Sequence, residues 1–342
     1  LVLLVLSGAR SLAGLPEVED TKIFDDSAGG SFTVASQVQI DGKRVFLKSN
    51  RGSPRGTRYA NFEADILAHR LFEQVGIRCP EARMVRLASS PRTEFGKRLD
   101  SWLGLDVLAM EFVNTRFTSG RVYHGGWPGD EKADTDRFID LLLIDLLIGN
   151  ADRRAANLFV GCRYTEKEGE ESDGSFQPIP IDNNSGFGTM VVWRFPSSQM
   201  NFLETYDGVG STEVMKDLGT IRNLVMDSEV HQVLLGQKRL RPRILVRASE
   251  LRRRLHDGLV DGLVADLPRE IIPRGVKVDP AEGEWLSKMS VPERRLLFGS
   301  LDRPIKGNEL FEYRKDEIGR RFRWRRDHLE EALRAHFASD GR

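Results

Sequence analysis

Three oxygen-bearing side chains have the spacing that phosphoryl-transfer chemistry requires. In Gly149-Asn150-Ala151-Asp152-Arg153-Arg154-Ala155-Ala156-Asn157-Leu158-Phe159-Val160, Asp152 follows a helix end and Asn157 stands at the mouth of an apolar strand. A second segment, Ile181-Asp182-Asn183-Asn184-Ser185-Gly186-Phe187-Gly188, ends a short strand on Asp182. If the two strands pair, two carboxylates and one amide oxygen converge. Hard oxygen donors of this kind suit Mg²⁺, with Mn²⁺ as the alternative, which keeps waters and takes phosphate oxygens. One Asp can then orient an acceptor hydroxyl while the Asn and the other Asp hold metal. Any one of these residues alone is ordinarily a cap or a turn. The ordered set between apolar strands is what points to chemistry.

The elements that must position them can be read from periodicity. A helix beginning near Asp134 and Thr135 carries Phe138, Leu141, Leu142, Asp145, Leu146 and Ile148, and ends at Gly149-Asn150. Leu158–Val160 and Ile179–Ile181 read as short strands around a solvated excursion at 165–175. Upstream, Ser31–Ile40 and Arg44–Leu47 are strand-like, and Asp41-Gly42 between them signals a hairpin. A helix over about Asn61 to Gln74 places Phe62, Ile66, Leu67, Leu71 and Val75 at helical spacing, with Gly76 as terminator. Val107–Met110 reads as a buried strand, and 200–342 as mostly helical.

The pattern G-N-x-D-R-x-x-x-N followed by three apolar residues, then I-D-N-x-x-x-F-G, resembles the atypical kinase branch. That branch holds the phosphatidylinositol 3- and 4-kinases, the bacterial HipA-like Ser/Thr kinases and the secretory-pathway kinases. The resemblance covers roughly 140–190, and more weakly 20–115. It implies Asp152 as the catalytic residue and Asn157 and Asp182 as metal ligands. Many members carry His two residues after the loop Asp, where this chain has Arg154. How the loop is braced, and whether Arg153 or Arg154 touches phosphate, therefore stays open.

A kinase-like first lobe also needs a phosphate-covering loop, a strand Lys and a helix acid that holds the Lys. Lys48 ends the strand Arg44–Lys48, and Glu63 near the start of the next helix is its expected partner; Asp65 and Glu73 lie on the same helix. Ser27, Gly29, Gly30 and Ser31 form a small flexible stretch whose backbone N–H groups can cradle phosphate. Met110, Glu111 and Val113 fit a strand-to-hinge connection where backbone groups would read adenine.

Composition narrows the alternatives. The 342 residues carry 51 Lys plus Arg against 51 Asp plus Glu, which argues against a globally basic nucleic-acid binder. Two cysteines, Cys79 and Cys162, allow one disulfide at most and suggest a cytoplasmic chain. Leu1–Leu6 is too short to span a membrane; it reads as a buried strand, or as the tail of a truncated leader cut near Ala13-Gly14. No pair of the six histidines has zinc spacing. The Arg-rich stretch 314–326, with Phe322 and Trp324 interleaved, reads as a helix with packed stems and solvated charges rather than as a nucleic-acid or acidic-substrate patch.

The expected architecture is α+β: a bilobal protein kinase-like fold with a small β-rich N-lobe and a larger, mainly helical C-lobe. Residues 1–20 are expected as an extension or truncated leader, 21–115 as the N-lobe, 116–270 as the C-lobe with the catalytic and metal loops, and 271–342 as a helical C-terminal part of the C-lobe or an accessory region. The expected activity is ATP- and Mg²⁺-dependent transfer of a γ-phosphoryl group to a hydroxyl of a protein Ser or Thr. A lipid kinase is the alternative acceptor class, and a nucleotide-binding pseudokinase the alternative of another kind.

Overall fold

Period-two alternation builds the sheet and decides which face meets the helices. The computed structural model describes residues 15–18, 22–25, 34–40, 43–49, 62–93, 103–112, 134–150, 153–154, 157–162, 176–183, 221, 225, 228–269, 277–278 and 305–339. Seven strands form one sheet: β1 (Glu17–Val18), β2 (Lys22–Asp25), β3 (Val34–Ile40), β4 (Lys43–Ser49), β5 (Ala82–Leu87), β6 (Arg92–Thr93) and β7 (Asp106–Glu111). Their order is β1-β5-β7-β4-β3-β2-β6. The β1–β5 and β2–β6 pairs are parallel and the others antiparallel. Ile40 pairs with Lys43, so β3 and β4 are antiparallel neighbours two residues apart in sequence; Asp41-Gly42 itself lies outside the described residues.

Val38, Ile40, Leu47, Val85, Leu87, Val107 and Ala109 alternate onto one face and form a small cluster of their own. Ala82, Met84, Leu108 and Met110 alternate onto the other and join the main core. Lys48 lies opposite Leu108. A charged residue thus shares the face that packs on α1 (Phe62–Gln74).

Helix α1 is buried at every position from Phe62 to Ala68, and its first turn carries Glu63 and Asp65. Acids there are favoured by the positive end of the helix dipole. Gly76 turns the chain out of α1 with φ 73°, a region that L side chains rarely adopt. Arginines fasten the helix from outside: Arg137 donates to Val75 O, Arg254 to Gln74 O, and Arg70 of α1 itself to Leu263 O at 3.0 Å.

The second helix, α2 (Thr135–Ile148), is buried at all positions from Phe138 to Ile148. Asp134 caps its start by accepting from Arg137 N, and Gly149 ends it in the left-handed conformation. A helix apolar all round belongs in a core. Its buried Asp140 is held by Arg247, and its buried Asp145 faces the site described below. A short antiparallel hairpin follows, β8 (Leu158–Cys162) with β9 (Phe176–Pro180).

The remaining α-helices with described bounds are α3 (Glu229–Gly236), α4 (Arg241–Arg254), α5 (Asp257–Ala265) and the long α6 (Gly307–Ser339). A two-stranded ladder, β10 (Lys277–Val278) with β11 (Ile305–Lys306), interrupts a region whose sequence reads as mostly helical. The Arg-rich stretch lies within α6, where Phe311, Ile318, Phe322, Leu329 and Leu333 are buried. Arg325 and Arg326 are buried too. Arg325 donates to Leu147 O at 3.4 Å and Arg326 to Leu255 O at 2.8 Å, so each guanidinium meets the carbonyl end of another helix. The main core is continuous from Phe62 and Met110 through Leu142 and Leu158 to Leu333, and so crosses the boundary expected near 115. The sheet lies toward the N-terminus and the helices toward the C-terminus. No helix among the described residues is long and apolar enough to cross a membrane.

A Cβ at Gly76 would sit 2.6 Å from the Arg137 guanidinium. Gly76→Ala is expected to cost about 1–2 kcal/mol from the left-handed backbone. Chemical denaturation checks it, and an unchanged midpoint would refute the conformational argument.

Candidate active site

An ammonium held between two carboxylates forms the centre of the site. Lys48 Nζ donates to Asp65 Oδ2 and to Asp182 Oδ1, both at 2.8 Å. The three residues arrive from the central strand β4, from helix α1 and from the segment after β9. The Asp65 side chain is 0% exposed, Lys48 9% and Asp182 37%. Burial alone would pull the Lys48 ammonium down, but Asp182 and Asp65 outweigh it and hold it above its ordinary value. Burial pushes Asp182 up as well, yet Lys48 outweighs burial and the carboxyl lies below its usual range. At Asp65 burial wins, and the carboxyl is raised.

The β8–β9 ladder sets Asp182 beside Asn157. Leu158 pairs with Pro180, and Ile181 N donates to Asn157 O at 3.0 Å just beyond the ladder. Asp182 then takes φ 52°, a left-handed conformation that Asp tolerates better than most residues. Asn183 N donates to Asp65 Oδ1 at 2.8 Å, which ties the segment after β9 to α1.

Arg153 braces both loops from beneath. Its Nε donates to Asp145 Oδ2 at 2.9 Å, and Nη2 donates to Asp145 Oδ1 at 3.0 Å and to Asn183 Oδ1. Nη1 donates to Asn157 O at 2.6 Å and to Ile181 O at 2.7 Å. All five guanidinium N–H groups thus find acceptors. Asp145 also accepts from His231 Nε2 of α3 at 2.8 Å and from Asn150 Nδ2 at 3.3 Å. Burial pushes the Asp145 carboxyl up, but Arg153 and His231 outweigh it and hold it below its usual range. Arg153 is thus the buried brace of the loop, while Arg154 is exposed.

The helix acid that grips Lys48 is Asp65 and not the expected Glu63. Two residues on a helix point about 200° apart, and Asp65 is the one that faces β4. Glu63 is buried in the same turn. Met110 is buried in β7 opposite Phe46 and Ala82. Glu111 is exposed and paired with Arg78 at 2.9 Å. Asp152, Ser27, Gly29, Gly30, Ser31 and Val113 lie outside the described residues. Sequence reasoning assigned nothing to Asp145, Asn183 or His231. A lone acid within the apolar run Leu141–Ile148 is the signal that marks Asp145; no local signal marks His231.

Asn157 and Asp182 offer the hard oxygens that Mg²⁺ prefers, and Asp182 Oδ1 is the atom engaged by Lys48. With both carboxylates ionised, Lys48, Asp65 and Asp182 together carry one negative charge in excess, and Asp182 is the half-exposed member of the three. Among the described residues no three His, Cys, Asp or Glu side chains gather into a closed metal cage. If Asn157 and Asp182 hold a cation, one carboxylate and one amide would leave its other coordination positions to further ligands.

No protein-family model matches the chain, and no curated protein matches it. Among solved structures, that of the Helicobacter pylori proinflammatory kinase CtkA is similar, with a TM-score of 0.43 and 12% identity, over 92% of this chain and 93% of that one. A likeness of that order assigns no residue a role.

Asp145→Asn leaves the buried Arg153 guanidinium without its counter-charge. The expected cost is about 3–5 kcal/mol in denaturant unfolding. Because the folded Asp145 carboxyl lies below its ordinary 3.8, its stabilisation is complete above that value and is lost as pH falls below it. The acid limb of stability against pH should therefore be shallower in the variant; an identical slope would show that Asp145 is not held in its ionised form.

Proposed function

We propose that the chain is an ATP- and Mg²⁺-dependent phosphotransferase of kinase-like, bilobal build, transferring the γ-phosphoryl group to a protein Ser or Thr hydroxyl. The observation that carries the reading is the Lys48 ammonium held at 2.8 Å from both Asp65 and Asp182. A strand lysine fixed by a helix acid, beside an Asp and an Asn on adjoining loops, is the arrangement that phosphoryl transfer needs.

In this reading the Lys48 ammonium meets phosphate oxygens at the rim of the cluster while Asp65 keeps it in place. Asn157 and Asp182 hold Mg²⁺, which supplies charge neutralisation on the phosphates. Asp152 orients the acceptor hydroxyl and receives its proton at a carboxylate oxygen. Ser27, Gly29, Gly30 and Ser31 cover the phosphates, and the backbone at Met110, Glu111 and Val113 reads adenine. Rate enhancement comes from positioning and fixed charge rather than covalent chemistry. A protein acceptor is favoured over a lipid because two arginines of the basic stretch, Arg325 and Arg326, are buried against helix ends instead of presented to a surface.

The test is incubation with γ-labelled ATP and Mg²⁺, with a protein mixture and inositol-lipid vesicles as separate acceptors. Label should enter protein and fall at least about a hundredfold in Asp152→Ala, Asp182→Ala and Lys48→Met. Label confined to vesicles would replace the acceptor class. ATP-dependent stabilisation without transfer would make the chain a pseudokinase. No nucleotide effect of any kind would overturn the reading.

A further inference from the structure

We propose that His231 is a positioning residue for the phosphoryl-transfer site, acting through Asp145 and Arg153. The catalytic part of this inference rests on the phosphotransferase reading; the geometric part does not.

His231 lies 86 residues beyond Asp145 in sequence and is 1% exposed. Helix α3 fixes it: Ser228 caps the helix by accepting from His231 N, and Val230, Leu234 and Leu235 are buried around it. Its Nε2 donates to Asp145 Oδ2. Its Nδ1 finds no hydrogen-bond partner among the described residues. The bond to Asp145 is therefore what an imidazole provides here that a hydrocarbon would not.

That bond matters because of what Asp145 holds. Oδ2 is shared between His231 Nε2 and Arg153 Nε, and Oδ1 between Arg153 Nη2 and Asn150 Nδ2. Two donors on each oxygen fix the carboxylate plane. A bidentate guanidinium follows that plane. The other N–H groups of Arg153 reach Asn157 O, Ile181 O and Asn183 Oδ1, which flank the two proposed metal ligands. If His231 releases Oδ2, the carboxylate can swivel and the guanidinium with it, and both loops move together. A displacement of about 1 Å in such a constellation costs on the order of a hundredfold in rate.

Two variants of the full chain separate positioning from mere packing. His231→Phe keeps a flat ring without a donor; His231→Gln keeps a side-chain N–H. Amide exchange at Ile181 and Asn183 should quicken at least about tenfold in His231→Phe and much less in His231→Gln, while α6 amides keep their rates. Turnover of Mg-ATP should fall at least about tenfold in His231→Phe with KM for ATP within about threefold, and recover in large part in His231→Gln. Unchanged exchange, or equal losses in the two variants, overturns the proposal, and quickened exchange with unchanged turnover overturns its catalytic part. A wild-type protein that shows the exchange pattern but turns over no ATP would refute the phosphotransferase reading and leave the positioning role standing. Should His231→Phe not fold, His231→Met carries the same comparison.

Discussion

The buried ion pair between Arg153 and Asp145 is the constraint on which the site depends. Neither side chain has appreciable contact with water. Removing two charges from water costs several kcal/mol each, and attraction offsets that only when every remaining donor is satisfied. Here the guanidinium meets that condition, with two bonds to the carboxylate and three to the loops. A lysine could not reproduce it, because three donors on a point charge cannot match five acceptors around a plane. The pair is poor evidence for overall stability. Its physical role is specificity, since it admits one relative placement of α2, the loop at 153–157 and the segment after β9.

Consequences run outward from that placement. Arg153 fixes Asn183, and Asn183 N in turn bonds Asp65. Asp65 holds Lys48, and Lys48 reaches back to Asp182. The ring of contacts closes through strand, helix and loop, so α1 cannot withdraw without breaking a bond on the loop as well. Arg137 and Arg254 hold the far end of α1 by its last carbonyls. The helix that presents Asp65 is thus fixed at both ends. Arg325, on α6, performs a similar service at the carbonyl end of α2, directly before Gly149 and the loop.

Local chemistry made much of this legible in the sequence. Asp134 and Gly149 at the ends of α2 and Gly76 after α1 each act within a few residues of themselves. Helical phase was a weaker guide. Seven successive positions of α1 are buried, so no polar face exists to show whether Glu63 or Asp65 points at β4. Charge runs misled in a different way. Arg325 and Arg326 look like surface charge, yet Phe322 and Leu329 flank them on the buried side of α6 and carry them inward to helix ends. His231 was beyond reach because its partner is 86 residues away, and a histidine followed by apolar residues reads as any core position.

The overall charge balance of 51 against 51 conceals a local imbalance that the site uses. Lys48, Arg153, Asp65, Asp145 and Asp182 sum to one excess negative charge. Arg153 and Asp145 neutralise each other in a closed set of bonds. The surplus therefore falls on the Lys48 group. Asp65 is fully buried, and both of its oxygens already accept, from Lys48 Nζ and from Asn183 N. The surplus settles on Asp182, whose side chain is 37% exposed and whose carboxyl is held below its usual range. The fold thus directs its unbalanced charge to the one member of the set with open access, on a backbone turned to φ 52° beside Asn157. In the proposed phosphotransferase reaction, a divalent cation bound there would cancel the surplus without entering the dry interior.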